Sequence, residues 1–150
     1  MQTLTRTTSK NPDFQNLTAL FDEFLIDIDG DDKDFYAQYN QVYLDNVVIY
    51  YENDIPVGCG AFKKHENKTI EIKRMFVPPQ YRGKGVANQI LQELELWANE
   101  LGNTIFILET SLKLPAAIAM YEKSGYIQIE NYGQYTGVLD SYCMKKISAP

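Results

Sequence analysis

The segment Gln80 to Ala87, QYRGKGVA, carries the most directly readable chemistry in this chain. A hydrophobic, strand-like run from Ile70 to Val77 passes through Pro78-Pro79 into Gln-x-x-Gly-x-Gly, and an amphipathic helix begins at once. Backbone N–H groups at a glycine-rich helix start point outward together, and the helix dipole adds partial positive charge, so the turn suits a phosphate or pyrophosphate. Arg82 and Lys84 lie inside the loop and add charge-assisted donors. The chain holds 20 Asp plus Glu against 14 Lys plus Arg, so this local basicity is not a by-product of composition.

Other chemistry-bearing residue types give less. Cys59 and Cys143 stand alone, without metal-ligand spacing, and read as reduced thiols half-buried in strands. His65, the single histidine, falls in an expected turn, and a Cys59–His65 pair has no third group to orient it. The acidic run Asp27, Asp29, Asp31, Asp32, Asp34 invites a calcium reading. An EF-hand loop starting at Asp27 needs Gly at its sixth place and Glu at its twelfth, where Asp32 and Gln38 stand, so no metal site is expected. The run reads instead as a solvated connection that would steer a cationic partner.

Those residues must be held by elements that the pattern also predicts. Residues 2–8 alternate loosely as a first strand. Asn11 caps and Pro12 opens a helix in which Phe14, Leu17, Phe21, Phe24, Leu25 and Ile28 recur at helical spacing. Asp29 to Asp34 breaks it, and Phe35 to Leu44 reads as a second, shorter helix. Val47 to Glu52 and Ile55 to Lys63 form a hairpin about Asn53-Asp54, and His65 to Lys68 turns into the strand Thr69 to Val77. After the glycine loop, Ile90, Leu91, Leu94, Trp97, Ala98 and Leu101 mark a helix face that Gly102 ends. Thr104 to Glu109 is a nearly continuous apolar strand of the kind buried on both faces. Pro115 opens a helix through Lys123, stopped by Gly125, and strands Tyr126 to Glu130 and Ser141 to Ile147 follow. The expected fold class is α/β (α+β), a sandwich built on a mixed sheet.

Three owners of the phosphate compete. A Walker loop needs Ser or Thr after Gly83-Lys84, and Gly85 stands there, so that reading fails. A dinucleotide fingerprint finds Gly83-x-Gly85 and Glu109 at a strand end, but Asn88 replaces the third glycine and Pro78 to Arg82 lengthens the turn. The third owner is coenzyme A. Gln80-Tyr81-Arg82-Gly83-Lys84-Gly85 resembles the Gln/Arg-x-x-Gly-x-Gly/Ala signature of the GNAT N-acetyltransferase family. The run LPAAIAMYEKSGY resembles a companion element of that family at Ala117, Tyr121, Glu122, Lys123, Gly125 and Tyr126. The resemblance spans Thr69 to Tyr126, with both motifs in the right order. Leu114 departs from it, standing where many members carry Asn.

The resemblance implies a mostly antiparallel sheet flanked by helices, with two parallel strands, Thr69 to Val77 and Thr104 to Thr110, splayed into a cleft for acetyl-CoA. Backbone groups of Met75, Phe76 and Val77 would pair with the pantetheine arm, and an N–H there would polarise the thioester carbonyl. Gln80, Arg82, Gly83, Lys84, Gly85, Val86 and Ala87 would hold the pyrophosphate, with Arg82 to Ala87 using backbone N–H groups. An attacking alkylammonium, of pKa near ~10, must first lose a proton; Glu71 is the expected base. Tyr121 matches the family's general acid for the leaving thiolate. Arg74, Tyr132 and Tyr135 are candidates for the acceptor pocket, Arg74 for an acceptor carboxylate. The implied activity is direct acetyl transfer to a small-molecule or amino-acid-like amine; the alternative is a GNAT-fold module that binds acyl-CoA without turnover, as a sensor or scaffold.

Bulk properties set the frame. Residues 1–150 suit one domain with a real core. A net charge of −6 argues against a nucleic-acid partner. No run reaches the ~18 apolar residues that would span a bilayer, and the first residues, MQTLTRTTSK, lack the apolar stretch of a signal peptide, so no membrane association and a cytoplasmic setting are expected. A monomer and a homodimer both remain open.

Overall fold

The computed structural model describes residues 1–29 and 43–148. Seven strands form one sheet: β1 (Gln2–Thr7), β2 (Asn46–Glu52), β3 (Ile55–Glu66), β4 (Thr69–Phe76), β5 (Ile105–Ser111), β6 (Ile127–Ile129) and β7 (Ser141–Ile147), in the order β1-β2-β3-β4-β5-β7-β6. β4 and β5 run parallel, and the other neighbours are antiparallel. Helices α1 (Pro12–Asp29), α2 (Val86–Glu100) and α3 (Pro115–Lys123) flank the sheet. This is the mixed, mostly antiparallel architecture expected. Among the described residues no helix is long and apolar enough to cross a membrane.

Local signals account for most element ends. The Asn11 side chain accepts from the Asp13 N–H at 2.9 Å, so the predicted cap closes α1. Asn53 and Asp54 take φ values of 51° and 67°, as a two-residue hairpin turn requires. Gly102 and Gly125 adopt φ of 90° and 99° just past α2 and α3.

Two expectations are revised. β3 continues to Glu66, placing His65 in the strand rather than the turn, because the ladder with β4 runs on through Lys64↔Ile70 and Glu66↔Thr69. Pairing with β4 overrides the polar composition of that stretch. Cys59 and Cys143 are fully buried, not half-buried, since each lies on an interior strand covered on both faces. The predicted helix Phe35–Leu44 and the acidic residues Asp31, Asp32 and Asp34 lie largely outside the described residues. Leu44 is described: it is buried, non-helical, and its N–H donates to Ser9 Oγ at 2.9 Å.

The sheet separates two cores. On one face α2 and α3 cover Val48, Val57, Ile70, Ile72, Phe106, Leu108 and Met144. On the other, Phe14 and Leu17 of α1 pack on Val47, Ile49, Ala61 and Phe76. α2 approaches so closely that a Cβ on Gly58 would meet Val86 Cγ1 at 2.9 Å. The pair Gly58 and Gly60 thus sets the helix-to-sheet distance on the side of the glycine loop.

Candidate active site

The site arises where the sheet comes apart. The β4–β5 ladder runs from Thr69↔Ile105 to Ile72↔Leu108 and stops, while β4 continues to Phe76 and β5 to Ser111. On its other side β4 carries an irregularity: its register with β3 shifts between Ala61↔Lys73 and Cys59↔Phe76. Arg74 sits in this bulge with φ of 57°, a conformation uncommon for a residue with a Cβ. The bulge turns the end of β4 away from β5. A cleft of about 480 Å³ opens between them, walled by α1 through Phe21, Phe24 and Leu25 and by α3 through Ala117, Met120 and Tyr121. The edge of Met75, Phe76 and Val77 that faces β5 has no ladder partner.

The glycine loop stands at one end of this cleft, with Arg82 and Ala87 among its walls. Gly83 and Gly85 take φ of 84° and 78°, and a Cβ on either would meet nothing within 4 Å, so the backbone is open to a ligand. Gly85 is the N-cap of α2, and the first closing bond is Gln89 N–H to Gly85 O at 3.1 Å. The N–H groups of Val86, Ala87 and Asn88 therefore have no acceptor within the helix. That row of donors fits a pyrophosphate. Gln80 and Lys84 are exposed beside it. Arg82 is exposed as well, and part of its side chain and its backbone N–H are engaged within the protein. Its Nε donates to Val77 O at 2.7 Å, its guanidinium lies 5.2 Å from the Phe24 ring centroid, and its N–H donates to Pro79 O. Arg82 braces the loop against the cleft wall.

Glu71 points into the cleft from β4 with 3% of its surface exposed. The Tyr132 hydroxyl donates to its Oε2 at 2.6 Å, and Lys73 Nζ lies 3.7 Å from its Oε1. Burial lowers the Lys73 pKa, opposed by the charge of Glu71. Burial and the adjacent carboxylate hold the Tyr132 phenol far above its ordinary range. Tyr135, buried and lining the cleft, packs edge-on against Tyr132 at 5.7 Å between centroids. Across the cleft, Glu109 of β5 accepts from the Ser141 hydroxyl at 2.8 Å.

Tyr121 enters from α3 on the opposite wall. It is 6% exposed, and its ring packs edge-on against Tyr126 at 5.7 Å. Burial, with a smaller contribution from Glu109, pushes the phenol pKa well up, so the hydroxyl stays protonated at any working pH. Leu114 caps α3 without a side-chain hydrogen bond and lines the same cleft.

Arg74 also lines the cleft, but much of its side chain is engaged. Nη2 donates to Thr18 O at 3.1 Å and to Asp22 Oδ1 at 2.8 Å, and the guanidinium lies 4.9 Å from the Phe21 ring centroid. It fastens α1 to the bulge. Cys59 and His65 make no contact with each other among the described residues. The Cys59 thiol, pushed up to about 12 by burial, donates to Arg74 O. Among the described residues no cluster of ligating side chains could hold a metal ion.

Sequence reasoning passed over Lys73, weighed Glu109 only as a ribose-binding acid, and gave Phe21 and Phe24 only a packing role. Lys73 was detectable, since it alternates with Glu71 on one strand face. Glu109 needed the splay of the strands to be recognised as a wall.

This geometry agrees with the family to which the chain belongs: residues 14–126 match the acetyltransferase (GNAT) family. Among curated relatives, the IAA acetyltransferase of Azospirillum brasilense is 36% identical over 53% of this chain and 52% of its own length. The uncharacterized N-acetyltransferase YjgM of Escherichia coli is 31% identical over 71% of this chain and 65% of its own. The chain thus spans half to two thirds of these relatives. A Klebsiella pneumoniae structure assigned as an acyl-CoA N-acyltransferase superposes with a TM-score of 0.84, at 27% identity, over 98% of this chain and 97% of that one. The PaiA N-acetyltransferase of Thermoplasma acidophilum, solved with coenzyme A, shares the fold with a TM-score of 0.60 at 18% identity, over 67% of this chain and 59% of that one.

Proposed function

We propose that this chain is an acetyl-CoA-dependent N-acetyltransferase that passes an acetyl group directly to the amine of a small, amino-acid-like acceptor, with residues 1–150 acting as one domain. The observation that carries the reading is the cleft itself. A buried carboxylate, Glu71 of β4, and a buried phenol, Tyr121 of α3, line one cleft where β4 and β5 part, with an open glycine-rich helix start at one end.

Acetyl-CoA supplies an activated acyl group on a thiol leaving group. Loop N–H groups from Gly83 to Ala87 take the pyrophosphate, with Gln80, Arg82 and Lys84 around them. The unpaired edge of Met75, Phe76 and Val77 hydrogen-bonds the pantetheine arm, and an N–H of that edge polarises the acyl carbonyl. Glu71 accepts a proton from the incoming ammonium, whose nitrogen must be neutral to attack. Tyr121 donates its proton to the departing sulfur. Tyr132 holds the Glu71 carboxylate in place, and Tyr135 shapes the acceptor side. The two free cysteines and the net charge of −6 suit a reducing cytoplasm and a cationic acceptor.

Turnover against a panel of amines, amino acids included and followed as free thiol, tests the reading, with coenzyme A binding measured by calorimetry. Thiol release that depends on an added amine supports it. Binding without release across the panel supports a non-catalytic acyl-CoA module instead, and no binding of coenzyme A refutes both.

A further inference from the structure

Where Glu71 acts as the base, the acceptor nitrogen must come within hydrogen-bonding distance of its carboxylate. One amine of the protein already stands close to that place. Lys73 lies two residues along β4 on the same face as Glu71, its side chain 6% exposed, and its Nζ is 3.7 Å from Glu71 Oε1. The Lys73 amine makes no hydrogen bond among the described residues. Among the described residues Arg74 Nη1 is the fully enclosed side-chain polar atom left without one, so Lys73 Nζ is not sealed off, and Lys73 lines the cleft. Most lysines spend their charge in water. This one is withdrawn from solvent beside a carboxylate, on the strand whose next residues border the acyl site.

We propose that Lys73 is an internal acceptor, and that the chain acetylates this amine from acetyl-CoA when no external amine fills the cleft. The inference rests on the acetyl-transfer reading above. Glu71 takes a proton from the Lys73 ammonium, and the neutral nitrogen attacks the thioester carbonyl carbon. The new C–N bond forms as the C–S bond breaks, and the thiolate takes the Tyr121 proton. The second nitrogen proton restores the phenol through water, and the proton on Glu71 leaves to solvent. The products are one amide at Lys73, one free thiol and one released proton. Burial favours the neutral amine that this step needs. The amide is stable, so the step ends there. It removes the cation beside Glu71 and adds an acetyl group to the cleft, slowing transfer to external amines.

The test incubates the whole chain with acetyl-CoA alone and follows intact mass, free thiol and the modified position by peptide mapping. The expected result is one acetyl group per chain at Lys73, with one equivalent of thiol. The rate should not depend on protein concentration and should exceed that at the exposed Lys68 and Lys123 by about tenfold or more, as held proximity demands. In urea-unfolded chain this preference disappears, and Lys73→Arg abolishes the adduct while surface lysines react as before. An unmodified Lys73 in a chain that binds coenzyme A and acetylates added amines overturns the inference and leaves the proposed function standing. A Lys73 that reacts no faster than the exposed lysines overturns it as well. Failure to bind coenzyme A overturns both.

Discussion

Replacing Tyr121 by Phe removes one oxygen and leaves the ring that packs against Tyr126. No hydrogen bond to the Tyr121 hydroxyl is present among the described residues, so the loss breaks no structural contact. The stability change should stay below about 1 kcal/mol, or a Tm shift of no more than about 2–4 °C for a chain of this size. The rate is another matter. A positioned general acid contributes about 10²- to 10⁴-fold, equivalent to about 3–5 kcal/mol of barrier. We therefore expect Tyr121→Phe to lower kcat by that factor, with coenzyme A affinity unchanged, measured by thiol release at saturating acetyl-CoA and by calorimetry. A second readout isolates the role. With a thioester of a more acidic thiol the leaving group needs less protonation, so the deficit should shrink. Because burial holds the phenol protonated, wild-type kcat should show no alkaline loss from Tyr121 below roughly pH 10. Full turnover by Tyr121→Phe with the natural donor would refute the assignment.

Glu71→Gln keeps an acceptor for the Tyr132 hydroxyl and should fold normally, yet lower kcat/KM by about 10²-fold or more; near-normal turnover would move the base elsewhere. Gly85→Ala adds a Cβ that meets nothing within 4 Å, so its cost is the left-handed backbone, about 1–2 kcal/mol, seen as a lower Tm together with weaker coenzyme A binding. Gly60→Ala acts by crowding, since its Cβ would meet Ile90 Cγ2 at 2.9 Å, Leu94 Cδ1 at 3.0 Å and the Met75 sulfur. About 1–3 kcal/mol of lost stability is expected in chemical denaturation, and an unchanged midpoint would contradict the close helix approach. Tyr121, Tyr126, Tyr132 and Tyr135 all have phenol pKa values raised in the folded state, chiefly by burial. Below the unfolded value of about 10 both states are protonated and this stabilisation is complete. Above it the unfolded chain ionises first, so stability should fall with rising pH by up to about 1.4 kcal/mol per unit for each phenol, read from denaturation curves between roughly pH 9 and 11.

Much of the scaffold was legible because its signals are local. Asn11, Pro12, Asn53-Asp54, Gly102 and Gly125 act through their own backbone or the next residue or two, and each ends or starts an element where expected. The His65 turn was misplaced because β3 borrows its last residues from pairing with β4, a contact no local window contains. Arg82 was read as a phosphate ligand from its place in the motif. The motif did not show that its Nε also donates to Val77 O and that its guanidinium lies by Phe24, partners supplied by β4's end and by α1.

By itself the sequence determined the loop. Gly83 and Gly85 permit left-handed backbone, the helix that follows leaves its first N–H groups free, and the run around Tyr121, about 35 residues on, resembles the companion element of the GNAT family. The tertiary structure alone decided what faces what. The bulge at Arg74 ends the β4–β5 ladder at Ile72↔Leu108, and the resulting gap brings Glu71, Lys73, Glu109 and Tyr121 around one space. Backbone preferences are set by neighbouring residues, whereas a splay between strands more than 30 residues apart is set by how two helices and a sheet pack together. The glycine-rich helix start is therefore written along the chain, and the cleft exists only once it has folded.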